Sequence, residues 1–217
     1  MLLTAEIAWV SGWASDISIW EDCIYERFPN FSHRFVDYYD LIDGDLKLPE
    51  SEFIIGWSMG TLALLKKLPE KAKEQKWILV CPIADFCAEG CWQPSALRAT
   101  KRGILENTEQ TLMSFSALMG NVPNEEREKW VENAMRYSPK QLAIGLDYLL
   151  EARFIAPLNS NTIDSNIKFI FGEKDKIVPL AQKELFSSVA NEQITVYENL
   201  GHWLPDYFNR LSVLKTH

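Results

Sequence analysis

The sequence predicts an α/β protein built on a six-stranded, mostly parallel sheet. Short apolar runs alternate along the chain with longer stretches whose apolar residues recur at helical spacing. The apolar runs are continuous rather than alternating, as expected of strands buried on both faces by crossover helices. The composition, 47% hydrophobic and 24% charged over 217 residues, is that of an ordinary globular chain able to bury a core without disulfide or metal staples. The whole chain, 1–217, reads as one domain.

Ala5-Glu6-Ile7-Ala8-Trp9-Val10 is the first strand, followed by a helix from about Asp16 to Phe28. Arg34-Phe35-Val36-Asp37 is the second strand. Phe53-Ile54-Ile55-Gly56-Trp57 is the third, and it runs directly into a helix over Ser58 to Leu68. Trp77-Ile78-Leu79-Val80-Cys81 is the fourth, stopped by Pro82. Lys168-Phe169-Ile170-Phe171 and Ile194-Thr195-Val196-Tyr197 complete the sheet, separated by a helix from about Pro179 to Val189. A last helix begins near Pro205. The stretch of about 83–156 breaks this rhythm. Its apolar residues fall at helical spacing, as in Leu112, Phe115, Leu118 and Met119, or Leu142, Leu146, Leu149 and Leu150. It is far longer than an ordinary crossover, so it predicts a helical cap inserted after the fourth strand.

Charge and cysteine usage exclude several function classes. Twenty-two basic against thirty acidic residues leave a net charge of −8, with a pI near 5.0, which argues against a nucleic-acid partner. The apolar start, Met1 to Trp13, lacks a basic leader region and is interrupted by Glu6, so it reads as a strand rather than a signal peptide. No apolar run reaches the roughly 20 residues of a membrane span. Cys23, Cys81, Cys87 and Cys91 lack zinc-ligand spacing, and no histidine lies near them. They read as reduced thiols in a cytoplasmic protein, with no metal and no cofactor expected.

Gly56-Trp57-Ser58-Met59-Gly60 fits G-x-S-x-G between a strand and a helix. A serine there occupies a sharp turn, so the flanking positions must lack side chains. The backbone N–H of Met59 then faces the point where negative charge develops. Serine needs a base, and the chain holds three histidines. His33 starts the second strand, at the sheet end opposite Ser58. His217 is the terminal residue. His202, in Leu200-Gly201-His202-Trp203, follows the last strand at the carboxyl end of the sheet, where chemistry in open parallel sheets gathers. The base needs an acid to hold its tautomer. Asp175, after the fifth strand, and Asp85, after the fourth, are both placed to serve, and Asp175 is preferred; Glu173 and Asp164 read as solvated. The loop Val10-Ser11-Gly12-Trp13 supplies a second oxyanion donor through the Trp13 N–H. Trp20 reads as core.

Together these residues resemble the α/β-hydrolase superfamily, whose triads run in the chain order Ser58, Asp175, His202. Within it the chain is most similar to the pimeloyl-acyl-carrier-protein methyl ester esterases of biotin synthesis. That similarity rests on Gly12-Trp13 with Trp20, the elbow, Phe115-Ser116-Ala117-Leu118-Met119-Gly120, and Ala156-Pro157-Leu158. The resemblance implies a serine carboxylesterase acting on a methyl ester of a carrier-bound dicarboxylic acyl chain. It places Trp13, Ser58, Met59, Phe115 and His202 against substrate, and it implies an acyl-carrier partner gripped by cap cations. Arg98, Lys101 and Arg102, with no acid between Pro94 and Leu105, form a basic cluster that Arg127 can assist. Read without the resemblance, the same cluster is a solvated helix face. The charge of −8 opposes an acidic carrier at long range.

Trp57, Phe86, Trp92, Phe115 and Trp203 are candidates to line an apolar channel. A monomer acting on a small-molecule or carrier-bound ester is the leading expectation. A general carboxylesterase, a thioesterase or a menaquinone-pathway type of lyase on the same triad is the nearest rival. A silent binding module is the rival of another class.

Overall fold

A computed structural model describes residues 5–43, 50–67, 75–155 and 166–211. The strands are β1 (Glu6–Val10), β2 (Ser32–Val36), β3 (Phe53–Trp57), β4 (Lys76–Val80), β5 (Ile167–Gly172) and β6 (Ile194–Tyr197). They form one sheet in the order β2-β1-β3-β4-β5-β6, and every neighbouring pair is parallel. The mostly parallel sheet expected from the apolar runs is therefore entirely parallel.

The helices are α1 (Glu21–Arg27), α2 (Tyr38–Asp43), α3 (Met59–Lys66), α4 (Pro94–Glu106), α5 (Thr108–Ser116), α6 (Asn124–Ala134) and α7 (Pro139–Glu151). The last four lie between β4 and β5, where the long helical stretch was read. Two have clear local starts. Pro139 follows Ser138, whose hydroxyl accepts from Gln141 N while the Gln141 side chain returns to Ser138 N, a complete capping box. Asn107 ends α4 and caps α5 by accepting from Gln110 N.

Three expected helices form differently. Asp16–Phe28 divides into a 3₁₀ turn, Ile17–Trp20, and α1. The expected Pro179–Val189 helix is a 3₁₀ run over Leu180–Phe186, and the last helix is another over Leu204–Arg210. The latter two bury few apolar side chains, namely Phe186 in one and Leu204, Tyr207 and Phe208 in the other. Tertiary contacts rather than an amphipathic stripe hold these turns, so the tighter helix suffices. Asp37 lies just past β2, where its carboxylate accepts from Tyr39 N and the Tyr137 hydroxyl.

Alternate residues of each strand face opposite ways and feed two cores. Ile7, Trp9, Phe53, Ile55, Ile78 and Val80 face the larger core. That core takes in Ile17, Trp20 and Ile24 and runs without a break into the inserted helices through Leu97, Leu112, Leu142 and Leu146. Ala8, Val10, Ile54, Leu79, Phe169 and Phe171 face the smaller one, which α3 covers with Ala63, Leu64 and Leu65. The insertion is thus welded to the sheet's apolar face over the carboxyl ends of the strands.

At the opposite end, His33 has a structural place. Its Nδ1 accepts from Trp9 Nε1 at 3.2 Å and its Nε2–H donates to Phe28 O at 3.1 Å. Both bonds use the neutral ring, and desolvation pushes its pKa below the ordinary histidine value. No helix among the described residues is long and apolar enough to cross a membrane.

Candidate active site

β3 ends in a forced turn. Ser58 adopts φ 54°, ψ −124°, a left-handed conformation that L-residues rarely accept, before α3 begins at Met59. The neighbouring strand β4 and the first turn of α3 hold it there: Ser58 N donates to Val80 O at 2.9 Å, and Ser58 O accepts from Thr61 Oγ1 at 2.6 Å. The flanking glycines are sterically required. A Cβ on Gly56 would lie 2.5 Å from Leu64 Cδ1, and one on Gly60 would run into the Ser11 carbonyl. The loop after β1 presses on the same turn, because a Cβ on Gly12 would sit 3.0 Å from Ser58 Cβ. Gly12, the residue before Trp13, therefore stands beside the serine. Met59 opens α3, so its N–H has no partner within the helix.

Three polar side chains meet across the sheet end. His202 Nε2 lies 3.0 Å from Ser58 Oγ, and His202 Nδ1 lies 2.7 Å from Asp175 Oδ2. All three are buried, with 6%, 2% and 5% exposure for Ser58, His202 and Asp175. The other Asp175 oxygen accepts from Ile177 N and Val178 N, both at 2.8 Å, which fixes the carboxylate plane. The rival Asp85 is engaged elsewhere: Oδ1 accepts from Cys87 N and Oδ2 pairs with Arg153 at 2.6 Å. Glu173 is exposed, while Asp164, His217 and Ala156-Pro157-Leu158 lie outside the described residues. Chemically, the chain Ser58–His202–Asp175 can pass the serine proton to an imidazole whose tautomer the carboxylate holds.

Cys81 closes the back of the site. It also adopts a left-handed conformation, φ 50°, just past β4. Burial and the Asp175 carboxylate beside it push its thiol well above the ordinary value. Cys81 Sγ, Asp175 and His202 ligand atoms lie within 4.8 Å of one another. The donor set suits protons rather than a cation: the thiol is held neutral, and Nδ1 needs its hydrogen to meet the carboxylate. Cys81 Sγ lies 3.5 Å from Tyr207 Oη, and that hydroxyl donates to Gly201 O at 2.6 Å.

The aromatic residues divide into two groups. Phe115 packs edge-on to Trp13, with centroids 4.9 Å apart, and beside Trp92 and Trp130; Phe86 stacks on Trp92. Trp57 and Trp203 are both edge-on to Trp20, and Trp57 also lies against His202. Trp57 has a polar role that its motif position did not signal, since its Nε1–H donates to His202 O at 3.0 Å. Ser11 likewise accepts from Tyr38 N through its hydroxyl. Neither bond has a signature in local sequence.

Arg98, Lys101 and Arg102 share one face of α4 and, with Ser95 and Leu105, line an open cleft of about 460 Å³. Lys101 is partly neutralised by Asp147 at 2.6 Å. Arg127 is on a different helix, α6, which packs on α5 and on the Ile17–Trp20 turn, and its guanidinium donates to Asn124 Oδ1.

No protein-family model and no curated protein matches the chain. Solved structures do. An esterase from Exiguobacterium antarcticum superposes with a TM-score of 0.81 at 16% identity, covering 97% of this chain and 92% of its own. An alpha/beta hydrolase enzyme from a Medee basin deep-sea metagenome library gives 0.71 at 15% identity, with 100% and 91% covered. MenH from S. aureus gives 0.70 at 12% identity, with 100% and 95% covered. The chain therefore has the α/β-hydrolase fold, with its helical cap inserted after β4.

Proposed function

We propose that the protein is a serine carboxylic-ester hydrolase. The observation that carries this reading is the continuous hydrogen-bonded chain from Ser58 through His202 to Asp175, built on a strained turn at the carboxyl end of the sheet. Ser58 Oγ attacks the ester carbonyl carbon while its proton passes to His202 Nε2. The N–H groups of Trp13 and Met59 hold the resulting oxyanion. Collapse of the tetrahedral adduct breaks the C–O bond, and the alcohol leaves with the proton from Nε2. Water then gives a proton to Nε2 and attacks the acyl carbon. The acid departs, and Ser58 recovers its proton. Asp175 keeps the imidazole in the receiving tautomer throughout. Phe115, against Trp13, faces the acyl group.

The test is direct. Ser58→Ala is expected to abolish hydrolysis of short p-nitrophenyl esters and labelling by a fluorophosphonate probe, with the circular dichroism spectrum unchanged. Full activity in that variant would sink the reading. Absence of labelling in the parent protein would leave a silent binding module.

The finer reading follows the sequence resemblance: the ester is the methyl ester of a carrier-bound dicarboxylic acyl chain. Two features support it. The Phe115–Gly120 segment lies against the Trp13 and His202 loops, and the α4 face carries the cations an acidic acyl carrier would need. Since the chain as a whole is acidic, attraction of an acidic carrier has to act locally, through cations such as those on that face. Expression in a biotin-auxotrophic strain lacking its own esterase is expected to restore growth. No rescue from soluble protein, or a preference for acyl-CoA thioesters over methyl esters, overturns this finer reading and leaves the general hydrolase.

A further inference from the structure

The backbone of His202 is clamped from two sides by groups far away in sequence. Its N–H donates to Met119 O, in the turn after α5 of the cap, at 3.0 Å. Its C=O accepts from Trp57 Nε1 at 3.0 Å, and the same indole lies against the imidazole with centroids 5.2 Å apart. The approach on the cap side is backbone to backbone. A Cβ on Gly201 would stand 2.9 Å from Met119 O and 3.5 Å from Gly120 Cα. Gly120, at φ 112°, is in turn 3.7 Å from Gly201 Cα when given a Cβ. Two glycines thus let the cap turn reach the loop that carries the histidine.

The geometry points to the Met119–Gly120 turn as a positioning element for His202: docking of the cap, together with the Trp57 indole, sets the imidazole in line between Ser58 and Asp175. This rests on the hydrolase reading above. It means that the cap helps assemble the proton relay and is more than a cover for the acyl group. The physical reason is local. The histidine loop follows the edge strand β6, which the sheet supports on one side only. Side-chain bonds at Nδ1 and Nε2 direct the ring but leave the backbone free to shift. Two backbone bonds of opposite sense, one from the cap and one from the elbow, remove that freedom. A displacement near 1 Å in such a relay can cost on the order of 100-fold in rate.

Gly201→Ala pushes the cap turn away at this contact without demanding a left-handed backbone. Trp57→Phe removes the donor to His202 O while keeping an aromatic ring. Ile104→Val, a small core truncation within α4, controls for general loosening of the cap. With p-nitrophenyl acetate, Gly201→Ala is expected to lose roughly 10–100-fold in kcat with KM within about two-fold, and to lose fluorophosphonate labelling rate in step. Trp57→Phe is expected to lose about 10-fold with the same pattern, and Ile104→Val to stay within about two-fold. Should Gly201→Ala not fold, Trp57→Phe reads the same clamp from the elbow side. Parent-like kcat in folded Gly201→Ala or Trp57→Phe overturns the proposal, as does a rise in KM alone or an equal loss in Ile104→Val. Retained hydrolysis in Ser58→Ala is a different result, because it removes the hydrolase reading itself.

Discussion

Asparagine at position 175 is expected to lower kcat for p-nitrophenyl esters by about 10³–10⁴-fold, with KM and the melting temperature nearly unchanged. The size of the effect follows from the orientation the site would impose on the amide. Asp175 Oδ1 accepts from Ile177 N and Val178 N. Two backbone donors demand an oxygen there, so the asparagine oxygen takes that place. The amide nitrogen must then occupy the Oδ2 position, facing His202 Nδ1 across 2.7 Å. An N–H donor at that point requires Nδ1 to accept, which moves the ring proton to Nε2. In that tautomer Nε2 can no longer take the proton from Ser58 Oγ, 3.0 Å away. Asp85→Asn is the informative partner: its carboxylate is spent on Arg153 and Cys87 N, so activity should be retained. If the two variants exchanged their phenotypes, the relay would run through the other acid.

Gly172→Ala is expected to cost roughly 3 kcal/mol of stability, which lowers the melting temperature by about 6–12 °C for a domain of this size. Gly172 ends β5, three residues before Asp175. A Cβ there would strike the Tyr207 hydroxyl and lie 2.5 Å from Leu200 O and 2.9 Å from Gly201 O. Two of the three obstacles are backbone carbonyls of the histidine loop, so no rotamer change relieves the clash. Moving Tyr207 instead breaks its bond to Gly201 O and strands a buried hydroxyl. Thermal unfolding checks the stability. An unchanged midpoint would mean the loop adjusts freely, contrary to the packing around it.

Much of the architecture was legible because its signals are local. A parallel strand buried on both faces must be apolar throughout, and β3 and β6 appear at the bounds read from their apolar runs. The elbow was legible because Gly56 and Gly60 flank Ser58 within five residues, although the atoms that a Cβ would strike belong to Leu64 on α3 and to Val10 and Ser11 at the end of β1. His202 emerged by elimination among three histidines, which the bonded ring at His33 supports. Misreadings fell where helix type depends on partners. The 3₁₀ runs at Leu180–Phe186 and Leu204–Arg210 carry apolar residues at spacings that suit either helix.

The amino-acid order alone was enough to specify the parallel α/β class, the position of the long helical insertion, and a serine, an acid and a histidine on three loops at one end of the sheet. Composition and periodicity act over a few residues, and these features are written at that range. Only folding in three dimensions put the Asp175 carboxylate 2.7 Å from His202 Nδ1 and paired Asp85 with Arg153. And it brought Met119 O and the Trp57 indole onto the two sides of His202, from 83 and 145 residues away by position number. Bonds of that kind use backbone groups every residue possesses, so no residue type announces them. They exist only once the cap has closed on the sheet.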